Sequence, residues 1–485
     1  MQRVVVRYGL AVSLAILASV PFVVGLFAGV HAASIAALWL SLLSFEWLLF
    51  QPSVLRNEDI PEARTRMVRN LLRDPVFWFM AFVVIFSLVR WLNTGMELAY
   101  DLEQEVWSVT EPPLVALPSS KEGVGFPFFA ASLSLLVLVS GVREGLGRAA
   151  RAMCLLVGSL VTGVAGMLAA AGVCCGNPAT LQAAGRGLMS PMWVGDVFAI
   201  WLVAAAAALG QVEERGWKKV GLPVVFIAIA GCAAGTVFMC PPYVAAAAIV
   251  AAVVAAVLSF NYAGCNAGLV ATARAVVVFA LAVSLSFVAL TSLVPEELWK
   301  DKIAHFTPAT ALTEKNRSQR EALMANAWEM WKTSPWLGKG VGCYAMNAPF
   351  NAQKEDWEKL PNTIEFVPNG FAEILAERGI VGCMVVVTGF CLLLFSGLAR
   401  FAAGFKKAAS NSDAPSPFMA VPSICWAQLP LVVFLIAEMC YASSPVRQAH
   451  VWVAFVFILA MASASFPRVK REKTASAANM ENRDG

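Results

Sequence analysis

Residues 221–260 read "GLPVVFIAIAGCAAGTVFMCPPYVAAAAIVAAVVAAVLSF". Two apolar runs, 221–239 and 243–260, are joined by a turn built on Cys240, Pro241 and Pro242. A helix needs about 20 apolar residues to cross the roughly 30 Å hydrocarbon core of a bilayer, and each run is close to that length. Both runs are continuous rather than alternating, which excludes the strands of a membrane barrel. The stretch therefore predicts two membrane helices that turn back at a proline-rich bend.

The same pattern recurs along the chain. Further runs of helical length lie near 8–30, 32–51, 75–92, 126–142, 152–172, 193–210, 275–294, 379–399, 420–440 and 450–466. About twelve spans are expected in all. Composition agrees: 59% of the 485 residues are hydrophobic and only 14% are charged, and the mean hydropathy is +0.69. No soluble domain of this size is so apolar. The net charge of +4 is small and the basic residues are clustered. That points to topology signals and away from nucleic-acid binding. Eleven cysteines in so long a chain are not a disulfide framework, and no Cys/His metal spacing appears. Cys174, Cys175, Cys240 and Cys343 fall on one expected side, where pairing is open to them. The first run lacks a small-residue cleavage site and reads as a retained anchor.

Connecting segments set the orientation. One group holds "RNEDIPEARTRMVRNLLRD" (56–74), "REGLGRAAR" (143–151), "ERGWKK" (214–219), Arg274, "RFAAGFKK" (400–407) and "RVKREK" (468–473). The short loops of the other group hold only Arg90, Lys121, Arg186 and Arg447. The positive-inside rule then places both termini in the cytoplasm, and the acidic 93–125 loop and residues 295–378 outside. The expected organisation is spans one to nine in 1–294, a large outer loop in 295–378, spans ten to twelve in 379–466, and a disordered basic and polar tail in 467–485. The outer loop is too long for a connector. In "SQREALMANAWEMWKTS" (318–334), Ala322, Leu323, Ala325, Ala327, Trp328 and Trp331 form a helical apolar stripe. The breaker "PWLGKGVG" (335–342) follows. A second helix begins near Asn369. The fold class expected is all-α, polytopic, with a small helical cap on the outer face. No internal repeat stands out, which weakens a transporter made of two matching halves.

The cap also holds the residues best suited to chemistry. Arg320 opens its helix, and Pro335, Gly338 and Gly340 mark the turn after it. An arginine fork binds two phosphate oxygens and keeps its proton; alone, it would read as a solvated residue of a cap helix. Then "VPNGFAEILAERGIVG" (367–382) supplies Asn369, Phe371, Ala376, Glu377, Gly379 and Gly382. Together these resemble the shared domain of O-antigen ligases and O-antigen polymerases, which carry an arginine, a helix, Pro-x-x-Gly-x-Gly, and later His-Asn before "laE.G..G". The likeness in motif covers roughly 317–385; elsewhere it is one of topology.

The resemblance implies a bacterial inner-membrane glycosyltransferase with a GT-C-like architecture. Its donor would be an undecaprenyl-diphosphate-linked glycan, and its acceptor a lipid-linked core or another glycan, as in lipopolysaccharide biosynthesis. It implies neither a cofactor nor a metal. Arg320 and Arg186, the latter in "RGLMSPMWVGD" (186–196), would hold the diphosphate. Asn369 and Glu377 would orient substrate. Two departures stand out. The family's histidine is replaced by Pro368, and Pro241, Pro242 and Tyr243 stand where many members have an arginine. The base is thus unassigned. Candidates are His305, Glu373 and Asp196; His31, His450 and Glu438 are further titratable groups at or near the expected outer face. Two rival readings remain: a catalytically altered partner or binding subunit, and a polytopic transporter or flippase.

Overall fold

The computed structural model describes residues 2–28, 35–43, 68–92, 97–101, 106–110, 120–174, 191–214, 221–240, 242–260, 314–340, 367–409, 427–441 and 449–462, with single positions elsewhere such as Tyr344 and Ala348. The elements run in chain order. α1 (Gln2–Ala28) and α2 (Pro75–Leu92) precede a short hairpin, β1 (Glu97–Asp101) and β2 (Val106–Thr110). Then come α3 (Ser120–Cys174), α4 (Pro191–Glu214), α5 (Gly221–Met239), α6 (Pro242–Phe260) and α7 (Glu314–Thr333). α8 (Gly370–Ala409), α9 (Gln428–Tyr441) and α10 (Ala449–Ala462) complete the series.

The quoted stretch folds as expected: α5 and α6 follow the two runs and turn at Cys240. α2 also begins where its run does, because Asp74 caps it. The Asp74 carboxylate accepts from Val76 N at 3.0 Å, and proline at the first helical position has no amide to leave unsatisfied. Three stretches, Tyr8–Leu26, Ala150–Leu168 and Gly370–Ala399, are long and apolar enough to cross a membrane. Shorter apolar helical stretches lie in α3, α4, α5, α6, α9 and α10.

Two features depart from the expectation. The runs at 126–142 and 152–172 belong to a single helical element, α3, and "REGLGRAAR" continues the helix rather than forming a loop. Arginine, alanine and glutamate are good helix formers, so charge marked the segment without breaking it. The other departure lies in the acidic 93–125 segment, where the otherwise helical fold includes β1 and β2. They pair antiparallel from Glu97↔Thr110 to Asp101↔Val106. Expected features at 467–485 and at Arg90, Arg447, Cys174, Cys175 and Cys343 lie outside the residues whose side chains are described.

Residues 195–209 of α4 and 451–462 of α10 are buried on all sides, as a helix apolar all round must be. α3 and α5 cross with their backbones in contact. A Cβ on Gly231 would lie 2.4 Å from Gly163 O, and Gly166 and Gly235 hold the ring of Phe198 between them. Such small-residue contacts let membrane helices pack by dispersion, without hydrophobic gain over lipid. The Ser159 hydroxyl lies 2.8 Å from Leu155 O and 3.1 Å from Trp201 O, placing a polar contact between α3 and α4. Gly231→Leu should therefore separate α3 from α5 and destabilise the bundle by about 1–3 kcal/mol. Thermal denaturation of the purified protein in detergent reads this; an unchanged midpoint would contradict the close crossing.

Candidate functional site

α7 carries the cap. Its buried face is Ala322, Leu323, Asn326, Ala327 and Met330. The expected stripe is thus rotated: Asn326 replaces Ala325 inside, and Trp328 is half exposed. Asn326 is accommodated because its Nδ2 donates to Ala348 O at 2.7 Å. Tyr344 is fully buried against this face. Its hydroxyl donates to Leu323 O at 2.9 Å, and its backbone amide donates to Glu377 Oε1 at 3.1 Å. Burial, aided by the charges of Glu373 and Glu377, pushes the Tyr344 phenol above its ordinary pKa. Glu373 and Glu377 are both buried, so their shared helix face points into the cap.

The two sequence motifs interlock through the main chain. Lys339 N donates to Ala376 O at 3.0 Å and Gly340 N to Glu377 O at 2.9 Å. In return, Ile380 N donates to Pro335 O at 2.9 Å and Val381 N to Trp336 O at 3.2 Å. The exchange breaks α8 at Gly379, whose φ is 66° and ψ −170°. Gly338, with φ 68°, lies directly against it. Both angles favour glycine. Beside this junction Trp336 is 69% exposed, next to the exposed Ile380, Val381 and Met384 of α8. An exposed tryptophan where a span emerges is the usual interfacial anchor.

At the start of α8, Asn369 caps the helix: its Oδ1 accepts from Phe371 N and Ala372 N, each at 3.0 Å. Its Nδ2 donates to Cys440 O at the end of α9, also at 3.0 Å. Asn369→Ala should therefore cost about 1–2 kcal/mol, whereas Asn369→Asp should retain most of the cap. Denaturation midpoints of the two variants check the order.

Arg320 reaches the same place from α7. Its Nη2 donates to Pro368 O at 2.9 Å. Its guanidinium also lies 5.9 Å from the centre of the Tyr243 ring. The residue standing in place of the family histidine thus gives its carbonyl to the arginine. Near Tyr243 are two carboxyl groups from different helices, Asp196 of α4 and Glu438 of α9, close to one another. They are 1% and 2% exposed. Cys240 Sγ, in the α5–α6 turn, is 4.0 Å from Asp196 Oδ1.

Arg320, Asn369, Asp196 and Glu438 are therefore brought to one end of the bundle. Pro335, Gly338, Gly340 and Glu377 build the cap that presents Arg320. Arg186, His305 and His31 lie outside the described residues, and His450 sits in the first turn of α10. Two relationships were not read from sequence: Tyr243 as the partner of Arg320, and the pairing of Asp196 with Glu438. The available signal was that Asp196, Tyr243 and Glu438 each lie near the end of an apolar run on the same expected side as the loop that holds Arg320.

Fold and site together define a helical membrane protein with a polar, arginine-bearing cap clamped to one end of its bundle. Residues 195–387 match the family model described as O-antigen ligase, so that segment of the chain is similar to that family. The match contains Asp196, Tyr243, Arg320 and Asn369; Glu438 lies beyond it. No curated protein matches the chain.

Proposed function

We propose that the protein transfers or polymerises a glycan carried on a polyprenyl diphosphate, at the periplasmic face of a bacterial inner membrane. The acceptor is a sugar hydroxyl on a lipid-linked core or a growing glycan. The reading extends to about twelve spans, a GT-C-like arrangement and cytoplasmic termini. The observation that carries it is the position of Arg320, between cap and bundle and inside the matched segment.

The acceptor oxygen attacks the anomeric carbon of the donor sugar. The bond from that carbon to the diphosphate oxygen breaks, and polyprenyl diphosphate leaves with its electron pair. The main electrostatic task is to neutralise charge developing on the leaving group, which a fixed guanidinium does without a metal. Arg320 takes this role, with Arg186 as the second diphosphate contact. Asn369 and Glu377 fix the frame in which the acceptor is oriented.

The test is transfer by the purified protein from a labelled polyprenyl-diphosphate glycan to a sugar acceptor, with Arg320→Ala as the matched variant. Turnover by wild type and its loss in the variant support the reading. Pro368 at the histidine position favours one alternative, a non-catalytic subunit of envelope polysaccharide assembly. That alternative predicts donor binding without turnover.

A further inference from the structure

α8 keeps one side open past its break. Ile380, Met384, Val387, Phe395 and Leu398 are exposed, and their spacing puts them on one helix face. Gly370–Ala399 is long and apolar enough to cross a membrane. The part after Gly379 alone rises about 30 Å, the thickness of the hydrocarbon core, so this stripe faces acyl chains. It runs on into the cap without interruption. Val381 N donates to Trp336 O and Ile380 N to Pro335 O, and Trp336 and Leu337, both exposed, stand at the end of the stripe.

The break at Gly379 is also a sharp bend. Gln428, at the start of α9, donates from Nε2 to Leu393 O at 2.9 Å. At the other end of α9, Cys440 O accepts from Asn369. α9 rises about 18 Å between these contacts, whereas a straight helix from Asn369 to Leu393 would rise about 36 Å. Residues 370–378 must therefore turn across the end of the bundle. Their contacts agree: Phe371 and Ile374 pack on the bundle core, while Ala372 and Ala376 join the cap residues Leu323, Ala327 and Met330. The first segment of α8 is thus a layer between the bundle and α7. The far face of α7 carries the ion pairs Arg317–Glu321 and Lys332–Glu329 and is the solvent side.

We propose that the Trp336–Leu337 corner is a lipid-binding edge, which enters the headgroup layer of the bilayer and lays the cap flat on its surface. Lipid is the occupant because the corner continues an acyl-facing stripe and begins with an indole. A tryptophan ring is apolar while its N–H is polar, which suits the boundary between acyl chains and headgroups. The seat also fixes depth. Arg320 donates to the carbonyl of Pro368, the residue before Asn369. Its guanidinium is therefore level with the end of α9, where the headgroup phosphates of that leaflet lie. This seating does not depend on glycan transfer.

The test uses the full-length protein in vesicles of phosphatidylethanolamine and phosphatidylglycerol, with photoreactive benzoylphenylalanine replacing Trp336, Met384 or Glu321 in turn. Glu321 is the solvent-side control, its side chain 66% exposed. Mass spectrometry after irradiation identifies the adducts. The probe at 336 should capture phospholipid near its glycerol backbone and the probe at 384 should capture acyl chain, each at least about tenfold more than the probe at 321. Leu337 takes the place of Trp336 if substitution there prevents folding. Lipid adducts no more frequent at 336 than at 321 overturn the proposal. So does capture of a second copy of the chain at 336, which would make the corner a self-contact.

Discussion

Arg320→Ala is expected to lower glycan transfer by about 10²–10³-fold, the usual loss when one fixed contact to developing charge is removed, while the protein stays folded. The side chain is only part buried, and a hydrogen bond to Pro368 O ties it to the backbone. Such a bond contributes about 1 kcal/mol to stability, too little to unfold the cap. In the glycan-transfer reading proposed above, its place between cap and bundle gives it a larger role in catalysis than in folding. Arg320→Lys should recover little, because an ammonium cannot grip Pro368 O and Tyr243 while offering a planar fork to phosphate. Transfer rates with a labelled donor, alongside thermal midpoints, separate the two effects. Equal turnover in wild type and Arg320→Ala would remove this residue from the mechanism.

Gly379→Ala should instead act on folding, with a loss of about 3 kcal/mol or more, at the upper end of single substitutions. A Cβ at Gly379 would lie 2.3 Å from Trp336 O and 2.6 Å from Gly338 N. Those atoms are backbone and have no rotamer through which to retreat. The positive φ adds about 1–2 kcal/mol for any L side chain. Gly338→Ala meets the same wall from the other side, since its Cβ would lie 2.3 Å from Glu377 C. Because both substitutions break one contact, the double variant should lose less than the sum of the two. Limited proteolysis of α7 and detergent unfolding would register the loss. Wild-type protease resistance in Gly379→Ala would mean that the cap is held elsewhere.

The spans that sequence located best were those with clear punctuation. α5 and α6 are bounded by Gly221, Cys240 and Pro242, and α2 by Asp74 and Pro75. Where punctuation was missing, charge misled: "REGLGRAAR" looked like a loop because it is basic, yet it continues α3. The cap helix was placed well but its face was turned, because Asn326 looked polar and its partner, Ala348 O, cannot be seen in sequence. The site was legible as a set of residues and illegible as an arrangement. Arg320, Asn369, Asp196 and Glu438 could each be singled out, since charge or amide chemistry stands out among apolar runs. Their convergence depends on which helix ends share a side and which neighbours they meet, and no periodicity encodes that. Tyr243 was read as a missing arginine, when its position makes it the arginine's partner.

The clamp between "PWLGKG" and α8 is made by four main-chain bonds and two facing glycines. Main-chain bonds do not depend on which side chains the participating residues carry. The residues between the fixed positions, Trp336, Leu337 and Lys339, are therefore free to change without loosening the joint. A signature of the form Pro-x-x-Gly-x-Gly is what such a joint leaves in a sequence: a record of where no side chain fits, silent about what is bound. The spacing identifies the scaffold, and the chemistry must be sought at its far end, where α7 delivers Arg320.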